Sequence, residues 1–494
     1  MPAAPTERSL RPSNGDVETA PLLNTVVEHD DNIVGWDGPD DPENPQNWSA
    51  GKKWVNIVLL SFMTFLTPFA SSMFAPGIPQ VMKDFGVDST YLASFVVSVY
   101  VLGYAFGPLF IAPMSELYGR KALYLVTSFL FLLFSLMCAW STSIWILTLG
   151  RFLAGLAGSC PITVGSGTIA DTFVQQERGR VMGLWTFSIL FGPSLGPVIG
   201  SYVAEGYGWR SNFYILAICT GVYLVLAMFF QDETFPPLLL EAKVRRLQKE
   251  TGNKNLHSAW SATAKTPREL LLGSIVRPTK LLFLSPLVFG CSLYVAVGYG
   301  YMYLIFTTIT KVFLDQYNFN RSAVGTVFLG LGVGQFISLA IFSRLSDPLL
   351  KRLAKGGQMK PEYRLPLLWP GAVLVPLGLI VYGWSAELKL HFMIPILGTA
   401  LFGAGMIWTF LPIGIYLVDA FTIYAASATA ASTVLRSIGG AFIPVVGGRL
   451  YEALGLGWGN TLLAAIAISM TPMILVFLKY GEVLREHPRF RVEL

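Results

Sequence analysis

Apolar stretches of roughly 20 residues recur along most of the chain, separated by short polar segments. A helix of that length crosses the hydrocarbon core of a bilayer, which is about 30 Å thick. Six stretches precede a long polar segment at 231–280, and six follow it. The predicted membrane-spanning helices, called spans 1–12, lie at 54–75, 92–113, 122–140, 144–169, 181–203, 213–230, 281–310, 324–343, 365–385, 392–411, 423–448 and 461–479.

This pattern predicts an all-α membrane protein with twelve transmembrane helices in two pseudo-symmetric six-helix bundles. The bundles are expected at 51–230 and 281–480, with a cytoplasmic central loop at 231–280 between them. Residues 1–50 are polar and lack the apolar core of a signal peptide, so we expect a disordered cytoplasmic tail there. Residues 481–494 are expected to form a short second cytoplasmic tail.

Composition argues against a soluble protein with a large core. Charged residues make up 13% of the chain and hydrophobic residues 53%, with a mean hydropathy of +0.55. Soluble domains carry about 25% charged residues, which cover their surfaces. This chain lacks enough charge for such a surface, so its apolar stretches are expected to face lipid.

The net charge of +5 comes from lysines and arginines that are concentrated in alternate loops. They are dense around 52–53, 120–121, 178–180, in the central loop and at 344–364, and sparse in the opposite loops. This asymmetry predicts that both termini and the central loop face the cytoplasm, and it does not indicate a nucleic-acid surface. The alternative for the central-loop cations is a lipid-binding or regulatory patch.

Cysteine and histidine give no sign of a metal or cofactor site. The cysteines lie within apolar stretches without the spacing of metal ligands, and the histidines lie outside the spans or at their edges. We therefore expect buried free thiols, no metal and no cofactor. The residues concerned are Cys138, Cys160, Cys219, Cys291, His29, His257, His391 and His487.

Two motifs recur between the halves of the chain. SELYGRK at 115–121 matches SDPLLKR at 346–352, and in both an acid precedes a cation by four residues and follows a glycine by thirteen. PVIG at 197–200 is repeated as PVVG at 444–447, in spans 5 and 11. Such repeats favour duplicated bundles that rock about a central site. The paired residues are Gly103 and Gly334, Glu116 and Asp347, and Arg120 and Lys351.

The segment FGPSLGPVIG at 191–200 contains G-x-S-x-G, the spacing of a hydrolase nucleophile elbow around Ser194. That elbow needs a strand before it and a helix after it, whereas this segment lies inside an apolar span. The glycines favour a small-residue helix face that closely approaches a neighbouring helix, and the prolines bend the helix. Plain packing without a coupling role is the alternative. The glycines of this face are Gly183, Gly192, Gly196 and Gly200, and the prolines that bend the helix are Pro193 and Pro197.

With these motifs, the chain resembles the major facilitator superfamily, and within it the twelve-span drug:proton antiporter branch of fungal multidrug and polyamine exporters. GPSLGPVIG resembles the antiporter motif of that branch. APMSELYGRK at 112–121 resembles the loop signature G-x-x-x-D-x-x-G-R-K, with Ala112 and Glu116 as departures. LGRFLAGLAG at 149–158, DPENPQNWS at 41–49 and DETF at 232–235 resemble further family segments.

The resemblance implies roles for several charged residues. Arg151, inside span 4, is expected to tune proton coupling, with a structural arginine bound by backbone carbonyls as the alternative. Glu116, Arg120 and Asp171 are expected to form a cytoplasmic latch that breaks on protonation, with ordinary loop charge as the alternative. No carboxylate falls in the middle of a predicted span, which leaves a proton-independent facilitator open.

A substrate cavity is expected between the bundles. Arg436 in span 11 is a candidate for it, with a structural role as an equal alternative. Span 7 offers Tyr294, Tyr299 and Tyr303, and an aromatic cavity suits amphipathic, planar or cationic organic molecules. Asn320 begins a glycosylation sequon in a predicted outer loop.

The expected function is therefore export of drugs, toxins or secondary metabolites by alternating access and proton antiport, and not an enzymatic reaction. The alternative is an importer or facilitator of a physiological solute such as an organic acid or polyamine. The expected partners are a small organic substrate, protons and the lipid bilayer, for a monomer in the plasma membrane or, alternatively, the vacuolar membrane.

Overall fold

The computed structural model describes residues 32–258, 267–354, 360–421 and 424–486, and most of this part of the chain is helical. Spans 1–6 follow the predicted order. Their helices are Ala50–Met73 for span 1, Thr90–Tyr118 for span 2, Arg120–Ala139 for span 3, Ile144–Gly158 and Cys160–Thr172 for span 4, Gln175–Tyr207 for span 5 and Arg210–Phe230 for span 6.

Spans 7–12 follow two central-loop helices, Pro236–Thr251 and Pro267–Leu284. Short helical segments extend some spans at their ends, among them Ala75–Gly77 and Ile78–Phe85 after span 1. The second-half helices are Pro286–Asp315 for span 7, Arg321–Val324, Gly325–Phe328 and Leu329–Ala354 for span 8, Pro361–Leu368 and Trp369–Glu387 for span 9, Met393–Phe421 for span 10, and Ala425–Ser469 with Thr471–Glu486 for spans 11 and 12.

The outer surface of the helices is apolar. Large hydrophobic side chains such as Phe229, Val446 and Ile218 are more than half exposed, as expected where lipid replaces water. Eleven helical stretches of the described chain are long and apolar enough to cross a membrane, and the last, Ala425–Arg485, is 61 residues long and contains two spans. The predicted all-α membrane fold with twelve spans is confirmed.

Spans 11 and 12 are separated by a backbone break rather than by the polar loop that the sequence predicted at 449–460. Gly455 adopts φ 73°, a left-handed conformation that favours glycine and ends the helix. The amide of Leu456 donates to the Glu387 carboxylate at 2.8 Å. This acid caps the start of span 12, because a helix N-terminus exposes unpaired amides that attract negative charge.

The repeated glycines lie at matching helix crossings. A Cβ on Gly103 of span 2 would lie 2.6 Å from the carbonyl carbon of Gly155 in span 4. A Cβ on Gly334 of span 8 would lie 2.7 Å from the carbonyl carbon of Ala400 in span 10. In both halves the glycine lets two backbones touch, so the sequence repeat has the same packing cause in each half.

The segment before span 1 differs from the disordered tail expected at 1–50. Residues 1–31 lie outside the described chain, but 32–49 pack against the central loop. Ile33–Val34 pairs in parallel with His257–Ser258. The Asp41 carboxylate and the Lys243 ammonium form a 2.9 Å ion pair in which both side chains are only 2% exposed. The pair joins the segment to the central loop across 202 residues of sequence, a contact that no local pattern could reveal.

Candidate functional site

Arg151 binds backbone carbonyls inside the first bundle. It is 1% exposed, and its guanidinium donates to four of them. The Nη1 group donates to Ala70 at 2.9 Å, and Nη2 donates to Ser71 at 2.9 Å and Val97 at 3.1 Å. Nε donates to Val96 at 3.2 Å. These bonds supply the partners that an arginine in a membrane span requires.

Two of these carbonyls are available because span 1 ends beside Arg151. Ala70 and Ser71 lie in the last turn of that span, where carbonyls lack partners within the helix. The rings of Phe74 and Tyr100 each lie 5.0 Å from the guanidinium carbon. Among the described residues Arg151 forms no ion pair, so its geometry is that of the structural alternative, a cation that joins spans 1, 2 and 4.

Arg436 of span 11 has a different environment. Its guanidinium carbon lies 5.0 Å from the Tyr299 ring centroid and 4.7 Å from that of Phe410. Its Nε is buried without a hydrogen-bond partner. The side chain as a whole is only partly buried, and it makes no hydrogen bond or ion pair within the described chain. Its terminal nitrogens, unlike Nε, are therefore not fully enclosed by the described chain.

The three candidate tyrosines of span 7 are divided between two regions. Tyr299 and Tyr303 are neighbours, with ring centroids 5.2 Å apart. The Tyr303 hydroxyl is hydrogen-bonded to the Ser71 hydroxyl of span 1 at 3.0 Å and so connects the two halves. Tyr294 lies elsewhere, in a buried cluster that includes Tyr416. Only Tyr299 accompanies Arg436 directly.

Arg120 and Asp171, two of the three residues of the expected latch, form an ion pair. Arg120 Nε lies 3.1 Å from the Asp171 carboxylate, with the side chains 12% and 16% exposed. Arg120 also donates to the Ser115 hydroxyl at 2.6 Å. The ion pair joins the end of span 4 to the start of span 3, and the serine bond adds the end of span 2. These contacts lie at the SELYGRK loop between spans 2 and 3.

Glu116 does not belong to this cluster, and its inclusion is corrected. Gly119, with φ 85°, ends span 2 between Glu116 and Arg120, so the two residues share no helix face. Glu116 is exposed and has no polar partner in the described chain. The second acid beside Arg120, after Asp171, is Glu233, whose carboxylate accepts from the amides of Arg120 at 2.9 Å and Lys121 at 3.0 Å.

The second half contains a matching pair that the sequence comparison missed. Arg364 Nε lies 3.3 Å from the Asp419 carboxylate, and Arg364 donates to the Ser346 hydroxyl at 3.0 Å. Serine, arginine and aspartate thus repeat the arrangement of the first half. Spacing alone pairs Arg120 with Lys351, because each follows the serine of its motif by five residues.

The glycines of span 5 lie against span 1. A Cβ on Gly192 would lie 2.7 Å from the Phe65 carbonyl oxygen, and one on Gly200 would overlap the Met73 carbonyl. Gly196 faces the same helix, but Gly183 has nothing within 4 Å. Gly183 precedes Gly192 by nine residues, which is half a turn out of phase, so its assignment to this face was wrong.

The opposite side of span 5 contacts the second half of the chain. A Cβ on Gly332 of span 8 would lie 2.7 Å from the Ser194 hydroxyl, and one on Gly325 would overlap the Pro197 carbonyl. The Ser201 hydroxyl donates to the Ser322 carbonyl at 2.8 Å. Span 5 is therefore packed between span 1 and span 8, with Ser194 in the contact and hydrogen-bonded to its own helix.

A cavity of about 700 Å³ lies near the end of spans 1 and 7 that is remote from the Arg120 pair. Its charged lining includes Asp88, Lys311, Asp315 and Glu452. The sequon residue Asn320 lies nearby, exposed, just before the first helix of span 8. In the described chain no group of His, Cys, Asp and Glu could hold a metal ion.

Curated relatives of the chain are fungal transporters. The chain is 54% identical over 464 residues to the MFS-type transporter penM of Penicillium rubens. This alignment covers 94% of this chain and 91% of the relative. It is 50% identical over 479 residues to the efflux pump radE of Floropilus chiversii, with 96% and 89% covered.

A solved structure is similar in fold. The partially occluded, inward-open xylose transporter XylE of E. coli aligns with a TM-score of 0.66 at 15% identity and covers 87% of this chain and 98% of that one. The sequence model of the Major Facilitator Superfamily matches residues 60–444. The chain therefore belongs to the major facilitator superfamily.

Proposed function

We propose that this chain exports small organic molecules, such as drugs, toxins or secondary metabolites, by alternating access in exchange for protons. The observation that carries the proposal is the position of span 5. Gly192, Gly196 and Gly200 touch span 1, whereas Ser194 and Pro197 touch span 8. A small-residue helix in contact with both halves suits rocking of one half against the other.

The relatives support export as the direction. One bears the name efflux pump, and another is named as an MFS-type transporter. Both relatives cover most of this chain, so the comparison applies to the whole transport unit. The alternative is import or facilitated flow of a physiological solute, and the transport experiment distinguishes it from export.

For proton coupling, the Arg120–Asp171 pair is our candidate. Protonation of Asp171 would remove the charge that holds Arg120 at 3.1 Å. Spans 2, 3 and 4 would then lose a mostly buried contact at their ends, and breaking such a pair is costly. Arg151 acts in this proposal as the fixed joint of spans 1, 2 and 4 rather than as the proton-sensing group.

The proposed setting is a monomer in the plasma membrane, with both termini in the cytoplasm. The concentration of lysine and arginine on one side supports this orientation. The vacuolar membrane is the alternative location. A fluorescent fusion to the C-terminus and protease access in intact cells would distinguish these cases.

The test of transport uses the full chain in inside-out vesicles with an imposed pH gradient. We expect accumulation of a fluorescent organic dye that stops when a protonophore collapses the gradient. Accumulation that ignores the protonophore would contradict proton exchange, and uptake only into right-side-out vesicles would contradict export.

Ser194→Ala separates transport from a hydrolytic reaction. Within the described residues, the Ser194 hydroxyl donates to no group other than the Leu190 carbonyl of its own helix, at 3.3 Å. We expect the variant to retain dye transport within about twofold, because such a bond adds little to a helix. Loss of transport together with loss of an esterase activity would support an enzyme instead.

A further inference from the structure

Arg436 is a cation inside a membrane protein for which the described chain supplies no counter-charge. Its Nε is buried without a hydrogen-bond partner. Arg151, the other arginine within a span core, is bound by four carbonyls. Membrane arginines usually pair with an acid, a carbonyl or water. The difference indicates that Arg436 awaits a partner that is not part of the chain.

The face of span 11 that carries Arg436 is directed toward the other half of the molecule. Gly440 follows Arg436 by one helical turn and so shares its face. A Cβ on Gly440 would lie 2.8 Å from the Tyr299 ring and 3.3 Å from Val101 of span 2. One residue further, the Ala441 carbonyl accepts from the Ser98 hydroxyl of span 2 at 2.7 Å. This face of span 11 is therefore directed at the junction between the halves.

Three acids of the second half, Glu387, Asp419 and Glu362, have other partners. The Glu387 carboxylate accepts from the Leu456 amide at 2.8 Å. Asp419 pairs with Arg364 at 3.3 Å. Glu362 lies 3.6 Å from Arg485. None of these carboxylates contacts Arg436, so a bound anion is the simplest source of the missing charge.

The aromatic neighbours favour an anion over a cation. Tyr299 and Phe410 both contact Arg436, and their ring centroids lie 6.2 Å apart. The guanidinium already makes cation–π contacts with both rings. A substrate cation would meet the charge of Arg436 there instead of a free ring face. This geometry disfavours polyamines and the cationic compounds that the aromatic content of span 7 alone suggested.

We propose that Arg436, positioned by Tyr299 and Phe410, binds the carboxylate of the transported molecule, so that the substrate class is amphipathic organic acids with an aromatic or other flat apolar body. The guanidinium fork matches a carboxylate in a bidentate geometry. The adjacent rings offer apolar surface for the rest of the molecule. This inference rests on the proposed function, because it names the cargo of the same transporter.

The test compares three probes of one ring system on the purified full chain in nanodiscs at pH 7.5. 2-Naphthylacetate carries a carboxylate, 2-naphthylethanol is neutral and 2-naphthylethylamine is a cation. Calorimetric titration measures each affinity. We expect the acid to bind at least roughly 10-fold more tightly than the alcohol, and the amine to bind most weakly.

Substitution of Arg436 should remove this preference. In Arg436→Gln we expect acid and alcohol to bind within about twofold of each other, and Arg436→Lys should keep an intermediate preference because it retains the charge without the fork. The control is Arg449→Gln, an exposed arginine of the same helix that stacks on Tyr91 at 4.5 Å. The control should keep the wild-type preference.

Two results would overturn the proposal: equal or absent binding of the acid by the wild type, or an acid preference that survives Arg436→Gln. If Arg436→Gln does not yield a monodisperse protein, the wild-type probe series and Arg436→Lys decide. Proton-driven dye export by a wild type without acid preference would leave the export function intact and reject only this inference. Acid preference in a protein that transports nothing would support the Arg436 site and reject the proposed export function.

Discussion

The Ser72 hydroxyl of span 1 donates a hydrogen bond to the Pro193 carbonyl of span 5 at 3.1 Å. In an unbroken helix that carbonyl would accept from the amide four residues later, but the residue there is Pro197, which has no amide proton. The serine therefore satisfies a carbonyl that the proline motif itself leaves open. The motif GPSLGP thus requires a donor on the neighbouring span, and span 1 supplies it.

Ser72→Ala tests this relationship. The variant leaves the Pro193 carbonyl unpaired in a low-dielectric contact, and we expect the free energy of unfolding to fall by roughly 1 kcal/mol. Ser188→Ala in span 5 is the control, because its hydroxyl donates to Leu184 within the same helix. Thermal unfolding in detergent measures both. Equal midpoints for the two variants would contradict the bridging role.

Alanine substitution of two glycines in span 5 tests the contact with span 1. A Cβ on Gly200 would overlap the Met73 carbonyl, which cannot move without its helix. We expect Gly200→Ala to lose about 1–3 kcal/mol of stability, or to fail to fold, and to stop transport. Gly183→Ala has open space and should be neutral or stabilising by up to about 1 kcal/mol. Folded yield on gel filtration and dye efflux distinguish them, and tolerance of Gly200→Ala would refute the close contact.

The sequence predicted the spans well because their signal is local. Each span is a continuous apolar stretch, and the repeated glycines Gly103 and Gly334 were found from their spacing alone. Boundaries were less accurate where a break depends on one residue. Residues 281–284 were assigned to span 7, yet they end the preceding helix, and the Ser285 hydroxyl caps span 7 by accepting from the Val288 amide.

The site was less predictable because its partners come from distant parts of the chain. Arg151 was recognised, but the carbonyls that bind it belong to spans 1 and 2. Arg364 was overlooked as the counterpart of Arg120. It lies 18 residues from its serine, whereas Arg120 lies 5 residues from Ser115. A longer loop in the second half hides the repeat from any comparison at fixed spacing.

Asp171→Asn and Glu116→Gln distinguish a latch built on the observed Arg120–Asp171 ion pair from one that includes Glu116, as the motif implies. Asp171→Asn removes the charge that faces Arg120, and we expect dye export to fall roughly 10-fold or more because a mostly buried cation loses its partner. Glu116 is exposed, so Glu116→Gln should stay within about twofold of the wild type. Efflux rates at matched expression measure both. A severe defect in Glu116→Gln with normal export by Asp171→Asn would reverse the assignment.

Arg151→Lys tests whether that arginine acts mainly as a structural joint. A lysine keeps the charge but concentrates its donors on one nitrogen, which cannot reach the carbonyls of both Ala70 and Val96 that Arg151 contacts. We expect a loss of about 2–3 kcal/mol in unfolding free energy, with an unchanged pH profile of the remaining export. Arg449→Lys, at an exposed position, is the control. An unaltered unfolding midpoint together with a lost pH response would instead assign Arg151 to coupling.

The docked segment before span 1 should depend on pH through its buried pair. Burial of Asp41 opposes its ionisation, but hydrogen bonds from the Asp37 and Glu43 amides and from Lys243 outweigh it and hold the pKa of Asp41 below its ordinary 3.8. Burial likewise opposes the charge of Lys243, yet hydrogen bonds to Asp37 and Asp41 raise the pKa of Lys243 above 10.5.

The sign of each shift defines the pH range in which the segment stays docked. The lowered pKa of Asp41 stabilises the docked segment above pH 3.8, and this stabilisation is lost as the pH falls through the folded-state pKa. The raised pKa of Lys243 stabilises the docked segment below pH 10.5, and this stabilisation is lost as the pH rises through the folded-state pKa. A spin label at Pro42→Cys should therefore be immobile at neutral pH and mobile when the pH falls well below 3.8. In Asp41→Asn the label should be mobile at neutral pH, because Lys243 has less opposing charge. The control is Asp40→Asn, at an exposed neighbouring position, in which the label should behave as in the wild type. An immobile label in Asp41→Asn would mean that the strand pair and apolar contacts, and not this ion pair, dock the segment.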